Sequence, residues 1–176
     1  RAAVRALFQP KAMSPVQLVR VAAHFSEVDL CGDIVSELKS LGYVVGVNLM
    51  QASGKPSREV SRKIRLLLSA DLTPDVIYFA DSLGNMDSAE VKRLIGAIRA
   101  VWSGPIGIHA HNNRGLAVAN SLSAITEGVA WVDATVQGMG RGAGNAEMEL
   151  LLTELGDESD YSPDAIYALA MEAFAD

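Results

Sequence analysis

Two histidines separated by one residue, His109 and His111, are the most chemically specific feature of this 176-residue sequence. They stand at the end of an apolar run that begins at Ile106, and alternate residues of a strand point to the same side. Imidazole nitrogens are common ligands of divalent metals, so the spacing favours two ligands for one ion. The competing interpretation is one buried and one surface histidine with no joint role, and spacing alone leaves both open.

Polar side chains also follow two other apolar runs. Asp81-Ser82 comes directly after the run 76–79, and His24 ends the run that starts at Leu18. Loops after parallel strands are where α/β proteins bind ligands, so Asp81-Ser82 can hold a metal or a small carboxylate. Taken alone, the two residues are explained better by a turn that caps the next helix. For His24 a structural role stays equally open.

A glycine-rich segment, 138–145, has the sequence Gly-Met-Gly-Arg-Gly-Ala-Gly-Asn. Its Gly-x-Gly-x-x-Ala spacing nominally fits a dinucleotide-binding loop, but neither a following strand nor an acidic ribose ligand is evident, so that function is disfavoured. Free N–H groups in such a loop suit an anion or a closely approaching ligand. The alternative is a tight strand–helix connection without a ligand.

The elements that must position these residues alternate regularly along the chain. The predicted strands are Val4–Leu7, Leu18–Ala22, Val44–Leu49, Val76–Phe79, Ile106–His109 and Trp131–Val136. Between them lie amphipathic helical patterns, one of which opens with a predicted capping box from Asp87 to Glu90. A last helix is predicted from Pro163, with Ser162 as its cap, toward Phe174. Alternating β and α elements leave two architectures, an open doubly wound sheet or a (β/α)₈ barrel. Six strands are too few to close a barrel, so the elements alone favour the open sheet, and a barrel requires that elements are missing.

Composition excludes several classes of partner. The net charge is −6 and the longest basic cluster has two residues, so we expect no nucleic-acid partner. No apolar stretch approaches 18 residues, so we expect no membrane span. One cysteine, Cys31, cannot form an internal disulfide, which fits a reducing, cytoplasmic location.

Several of these segments together resemble one enzyme family. Residues 107–121 resemble the His-x-His segment of the metal-dependent aldolase and lyase barrels, which include 4-hydroxy-2-oxovalerate aldolase, 3-hydroxy-3-methylglutaryl-CoA lyase and 2-isopropylmalate synthase. Residues 132–146 resemble that family's eighth strand and the loop after it. Residues 78–82 and 19–24 resemble its sixth and fourth strands, and the similarity is closest to the oxovalerate aldolases.

The resemblance implies a (β/α)₈ barrel of which this chain supplies about strands three to eight, as one catalytic domain over residues 1–176. The family's first strand carries an Arg-Asp-Gly motif. This sequence contains neither an Arg-Asp nor an Asp-Gly dipeptide, so the first two βα units are expected to be missing. The family's catalytic arginine and tyrosine are therefore not assigned to any residue. The implied metal ligands are His109, His111 and Asn145, the implied substrate-binding residues are Ser82, Asp81 and His24, and the implied loop near the substrate contains Gly140, Gly142 and Gly144.

The implied reaction is reversible cleavage of a C–C bond in a 2-oxo acid such as pyruvate, with Mn²⁺ or Mg²⁺ stabilising the pyruvate enolate. Two alternatives are an acyl-CoA-dependent reaction of the same family and a truncated, non-catalytic binding module. An incomplete barrel exposes strand edges, so we also expect a homo-oligomer or a partner enzyme.

Overall fold

Strands and helices alternate along the chain, and every strand pairing is parallel. A computed structural model of the protein describes residues 2–69, 73–156 and 161–173. The described strands form one sheet in the order β1 to β5, with the bounds Leu18–His24, Val44–Met50, Val76–Asp81, Ile106–Ala110 and Trp131–Asp133. Helices α1 to α7 span Ala2–Leu7, Gly32–Ser40, Ser57–Leu67, Ser88–Arg99, Ala117–Thr126, Met148–Leu155 and Pro163–Ala173. Strands that are neighbours in sequence are neighbours in space, as in a barrel wall, whereas a doubly wound sheet reverses its order.

The register aligns one residue from each strand into rows that cross the sheet. One such row, at the carboxyl end of the strands, contains His24, Met50, Ala80, His109 and Asp133. Because side chains alternate along a strand, these five share one face of the sheet. His24 and His109 therefore lie at the same end of the sheet.

The opposite face of the sheet forms the core with the helices. Leu49 of β2, Phe79 of β3 and Ile108 of β4 are fully buried in one cluster with helix residues such as Leu94 and Ile98. Burying a side chain of this kind contributes about 1.5–3 kcal/mol. Each strand therefore uses alternate residues for the core and leaves the others for the face that carries the histidines.

The predicted strand Val4–Leu7 is wrong, because these residues belong to helix α1. The segment Ala-Ala-Val-Arg-Ala-Leu contains a single β-branched residue, and alanine, arginine and leucine are strong helix formers. The described residues thus supply five strands rather than the six expected. Strand β1 contains residues 19–24, which resemble the family's fourth strand, so this resemblance would make the five described strands the fourth to the eighth.

The sequence correctly predicts the residue that caps helix α4, but not the full capping box or the end of strand β5. Asp87 caps α4 by accepting a hydrogen bond from the Glu90 backbone N at 3.0 Å, as predicted. The Glu90 carboxylate does not complete the capping box, because it accepts from the Arg93 guanidinium and from Gly54 N instead. Strand β5 stops at Asp133, three residues earlier than predicted.

The last helix, α7, begins at Pro163 as predicted, and the Ser162 hydroxyl accepts a hydrogen bond from Asp164 N at 3.2 Å. Its predicted end near Phe174 lies outside the described residues. Among the helices that the structure describes, none is both long enough and apolar enough to cross a membrane.

Candidate active site

The two histidines of the His-x-His segment face one cleft, as the alternation of strand residues predicts. His109 lies in β4 and His111 directly follows it, and their ring centroids are 5.0 Å apart with the planes nearly perpendicular. Both rings are half-buried and line a cleft of about 380 Å³ at the carboxyl end of the sheet. Two imidazoles that share one cleft at this separation can serve one ligand or one ion.

The orientation of His109 is fixed by a neighbour on the next strand. Its Nδ1 lies 2.9 Å from Oδ2 of Asp133, which occupies the same row of the sheet. Because a carboxylate only accepts hydrogen bonds, Nδ1 carries the proton in this contact, which in the neutral ring leaves the lone pair of Nε2 for a ligand. A carboxylate behind a histidine is a common arrangement around metal-binding imidazoles.

A second cation holds Asp133 in place. Arg20 of β1 donates from Nη1 to Asp133 Oδ2 at 2.5 Å, and its guanidinium carbon lies 4.5 Å from the ring centroid of Tyr78. Burial raises the pKa of Asp133, but the hydrogen bond from His109 and the charge of Arg20 outweigh it and bring the pKa below its usual value. Asp133 is therefore ionised and able to accept from both partners near neutral pH.

A glycine gives the Tyr78 ring the space that it occupies beneath Arg20. Gly107 lies two residues before His109, on the same face of the sheet, and pairs with Tyr78. A Cβ at Gly107 would overlap the tyrosine ring. Burial and then the negative charge of Asp133 raise the pKa of Tyr78, so the phenol stays neutral under its guanidinium. A larger residue at Gly107 would displace the platform on which Arg20 lies.

The loop between β5 and α6 brings a third polar group to His111. His111 and Asn145 form an antiparallel backbone bridge, and His111 Nδ1 lies 3.3 Å from the carbonyl oxygen of Gly144. Asn145 is nine-tenths buried and donates from Nδ2 to the carbonyl of Met139 at 3.0 Å. Its Oδ1 is buried without a hydrogen-bond partner, which is costly for a polar atom unless a donor or a cation completes it.

Glycines allow this loop to approach Asn145 closely. A Cβ at Gly140 would overlap the Asn145 amide, and a Cβ at Gly144 would overlap the carbonyl oxygen of Gly138. Gly144 also has a φ of +84°, in the left-handed region that favours glycine. Gly142 is exposed at the outer part of the loop and meets nothing within 4 Å. Of the loop residues, Arg141 is the one whose side chain reaches the cleft wall.

The available donors fit part of the coordination sphere of a divalent cation. The two imidazoles that line the cleft can supply nitrogen ligands to a first-row divalent metal, and the unpartnered Oδ1 of Asn145 is an oxygen donor on the loop whose backbone is bridged to His111. Within the described ranges, no group of three or more His, Cys, Asp and Glu side chains is placed to hold a metal by itself. The site therefore supplies up to three protein ligands and leaves positions for substrate oxygens or for a further carboxylate.

The neighbouring residues Asp81 and Ser82 lie on opposite faces of β3. Ser82 lines the cleft, and its Oγ accepts a hydrogen bond from Gln51 N at 3.2 Å. Asp81 is buried on the helix side, where its carboxylate accepts from the backbone N of Asn85 and of Met86, both at 3.0 Å. Burial raises the pKa of Asp81. The structure thus brings Ser82 to the cleft and gives Asp81 the turn-stabilising role that the sequence left open.

His24 is exposed and lines the same cleft as the two other histidines. Four residues on this face were missed in the sequence: Arg20, Asn48, Tyr78 and Asp133. Strand alternation could have identified them. Arg20 and Tyr78 each precede a predicted site residue of the same segment, His24 and Ser82, by four positions. Asn48 and Asp133 lie four and two positions after the first residues of their predicted strands. Asn48 is 7% exposed, lines the cleft, and has an Oδ1 without a hydrogen-bond partner.

Comparison with solved structures supports a barrel fold. The carboxyl transferase domain of Rhizobium etli pyruvate carboxylase, solved with pyruvate, superposes with a TM-score of 0.83 at 19% identity and covers 98% of this chain and 30% of its own. HMG-CoA lyase of Bacillus subtilis superposes with a TM-score of 0.72 at 17% identity, over 89% of this chain and 63% of that chain. At these identities the likeness shows the fold alone.

Sequence comparison identifies the family. A 4-hydroxy-2-oxovalerate aldolase from Carboxydothermus hydrogenoformans is 38% identical over 162 residues, which is 90% of this chain and 48% of that protein. The chain thus spans about half the length of this curated relative. The pattern of the HMGL-like family matches residues 17–165 and so includes all five strands and both histidines. Because the match extends over most of its length, this chain belongs to the HMGL-like family.

Proposed function

We propose that this chain forms the metal- and substrate-binding part of an aldolase that makes or breaks a C–C bond in a 2-oxo acid such as pyruvate. The observation that carries the proposal is the pair His109 and His111 in one cleft, with Asp133 hydrogen-bonded to His109 and with Asn145, whose side-chain oxygen has no partner, bridged to His111 through the backbone. The curated relatives named 4-hydroxy-2-oxovalerate aldolase support this reaction class.

His109, His111 and Asn145 would hold the cation, Mn²⁺ or Mg²⁺, through two ring nitrogens and one amide oxygen. When bound, such a cation stabilises the negative charge that develops on the enolate of a 2-oxo acid. Asp133 keeps the His109 proton on Nδ1, so that Nε2 stays available as a ligand. The buried amide oxygen of Asn145 gains the partner that it otherwise lacks.

Ser82 would bind the substrate carboxylate. Its Oγ accepts the N–H of Gln51, so the hydroxyl proton is free to donate into the cleft. His24, at the end of β1, lines the same cleft and can donate or accept a hydrogen bond there. Asp81 contributes indirectly, because its two backbone contacts hold the loop that follows Ser82.

Exchange of the pyruvate methyl protons with solvent tests the proposal without an assumption about the second substrate. The full-length protein is incubated with pyruvate and Mg²⁺ in D₂O, and loss of the methyl signal is followed by proton NMR. We expect exchange that requires the cation and that is lost in His111→Ala and Asn145→Ala. Asn113→Ala is the matched control, since Asn113 is exposed in the loop after β4. Equal exchange rates in EDTA or in His111→Ala would contradict the proposal.

Open sheet edges support a further part of the proposal, a homo-oligomer or a partner enzyme. In the described sheet, β1 and β5 each pair with one neighbour only, and Trp131 at the start of β5 is 43% exposed. Unpaired edges of a sheet tend to be covered by other chain segments or subunits. We also propose a cytoplasmic location. Light scattering of the full-length protein tests the assembly, and a compact monomer with both edges free would contradict it.

A further inference from the structure

The cleft that His109 and His111 line also contains polar side chains to which the proposed metal and carboxylate sites assign no role. Asn48 of β2, Gln51 directly after it, and Arg141 of the glycine-rich loop all line this cleft. We propose that these residues bind hydroxyl groups of the aldehyde partner, so that the second substrate is a hydroxylated aldehyde rather than a plain alkyl aldehyde. This inference rests on the proposed aldolase function and specifies the substrate class of the same site.

Asn48 is the strongest part of this inference. Its side chain lies in the interior of a parallel strand, is 93% buried, and has an amide oxygen without a hydrogen-bond partner. Across the sheet its row neighbours are Ala22, whose side chain is a methyl group, and Tyr78. A buried amide oxygen without a donor destabilises a folded protein, and an apolar residue of the same size would avoid that cost. A hydroxyl of a bound substrate supplies the missing donor.

Gln51 provides a second, independent observation. Its backbone has a φ of 58°, in the left-handed region that a residue other than glycine adopts at an energetic cost. Such strain is concentrated at ligand-binding sites, where the surrounding structure maintains it. In this conformation Gln51 N donates to Ser82 Oγ while the side chain lines the cleft. The strained residue thus links the proposed carboxylate site to the wall that contains Asn48.

The three side chains together match the hydrogen-bonding needs of hydroxyl groups. A hydroxyl both donates and accepts, an amide side chain does the same through two different atoms, and a guanidinium only donates. Asn48 and Gln51 can therefore accept from and donate to hydroxyls, and Arg141 can donate to a hydroxyl oxygen. An alkyl aldehyde would leave the Asn48 oxygen without a donor and would cover Gln51 and Arg141 without replacing their bonds to water. Polar groups left unpaired in this way discriminate strongly against an analogue that lacks the hydroxyl.

The reaction balances with these two substrates alone. In the synthetic direction C3 of the 2-oxo acid loses a proton and forms a bond to the aldehyde carbon, while the aldehyde oxygen gains a proton. The product is a 4-hydroxy-2-oxo acid with further hydroxyl groups, and cleavage reverses each step. No oxidant, reductant or third reactant is required.

Matched aldehydes test the inference. Propanal and glyceraldehyde have the same number of carbons and differ by two hydroxyl groups, and kcat/KM for each is measured with pyruvate, Mg²⁺ and the full-length protein. We expect glyceraldehyde to be preferred by at least about tenfold. Asn48→Leu, which keeps the volume and removes the amide, should lower kcat/KM for glyceraldehyde by about tenfold or more and leave the value for propanal within about threefold. Gln51→Ala should also lower kcat/KM for glyceraldehyde more than that for propanal. Because Gln51 is exposed, this variant keeps the test valid if Asn48→Leu does not fold.

Two further readouts separate this inference from the proposed function. Pyruvate methyl exchange should be unchanged in Asn48→Leu, because that step involves no aldehyde. Saturation-transfer NMR with glycerol and 1-propanol as non-reacting probes should detect binding of glycerol only, and Asn48→Leu should abolish that signal. Preference for propanal, equal loss of both aldehydes in Asn48→Leu, or equal binding of the two alcohols would overturn the inference. Absence of methyl exchange combined with Asn48-dependent glycerol binding would overturn only the proposed function.

Discussion

Replacing Asp133 by asparagine should impair cation binding strongly, although Asp133 is not one of the proposed ligands. In the native chain the carboxylate accepts from Arg20 at 2.5 Å and from His109 Nδ1 at 2.9 Å through the same oxygen, Oδ2. An asparagine has one oxygen to offer, and the permanently charged Arg20 will claim it. The amide NH₂ then faces His109, and only a ring nitrogen without a proton can accept from it.

The consequence is a change of tautomer. When Nδ1 of His109 accepts a hydrogen bond, the neutral ring carries its proton on Nε2, and that nitrogen can no longer bind a cation. Loss of a carboxylate behind a metal-binding histidine typically costs 10–100-fold in affinity, about 1.4–2.8 kcal/mol. In Asp133→Asn the amide also favours the tautomer of His109 that cannot bind the cation. We therefore expect an affinity loss near the upper end of this range, about 100-fold.

Calorimetric titration of the full-length protein with Mn²⁺ measures this effect directly. Asp75→Asn is a matched control, because Asp75 also joins a cation, Lys39 at 2.6 Å, and a backbone N–H, that of Val45 at 2.7 Å. It stands at the opposite end of the sheet, one residue before β3 begins. We expect normal Mn²⁺ affinity in the control. A folded Asp133→Asn variant that binds Mn²⁺ within about twofold of the native affinity would refute the role of Asp133 in orienting His109.

Further substitutions separate residues that are close in sequence. Gly144→Ala should lower the free energy of unfolding in urea by about 1–3 kcal/mol, because its Cβ overlaps the Gly138 carbonyl, whereas Gly142→Ala shares the positive φ but meets no neighbour and should cost less. Ser82→Ala should raise KM for pyruvate with little change in Tm, since the hydroxyl faces the cleft. Asp81→Asn should do the reverse, lowering Tm while KM stays constant, because the amide cannot accept both backbone bonds. Burial raises the folded-state pKa of Asp81, so ionisation of this group lowers the free energy of unfolding as pH rises through that pKa; urea titrations should show this pH dependence in the native protein and its loss in Asp81→Asn.

The alternation of strands and helices and the pairing of His109 with His111 could be predicted because both follow from local periodicity. A strand places residues i and i+2 on one face wherever it lies in the fold. The same rule places Asp81 and Ser82 on opposite faces, and the substrate role expected for Asp81 overlooked it. The strand expected for Val4–Leu7 is wrong for a related reason, since four residues, one of them an arginine, carry too little periodicity to outweigh the helix propensity of the alanines around them.

Contacts between distant residues could not be predicted from local patterns. Arg20 and Asp133 are 113 residues apart, and their ion pair depends on the register of every strand between them and on the small residue at Gly107. Asn48 has no motif around it, and its significance lies in a hydrogen bond that is missing from the folded chain. Neither feature leaves a signal in composition or spacing.

Alternate residues of each strand have different tasks: those that face the helices stabilise the fold, and those that face the cleft can bind ligands. Ile108 and His109 are adjacent, yet Ile108 is fully buried among the helices while His109 faces the cleft. Truncation of a buried isoleucine costs about 2–5 kcal/mol of stability, whereas the cleft residues contribute little to the core and can vary with the ligand. Asn48 lies on the cleft side of this division, between the core residues Val47 and Leu49. A polar residue there changes what the cleft can bind without disturbing the packing behind it, and this is how one barrel wall can retain its two histidines while accepting a different second substrate.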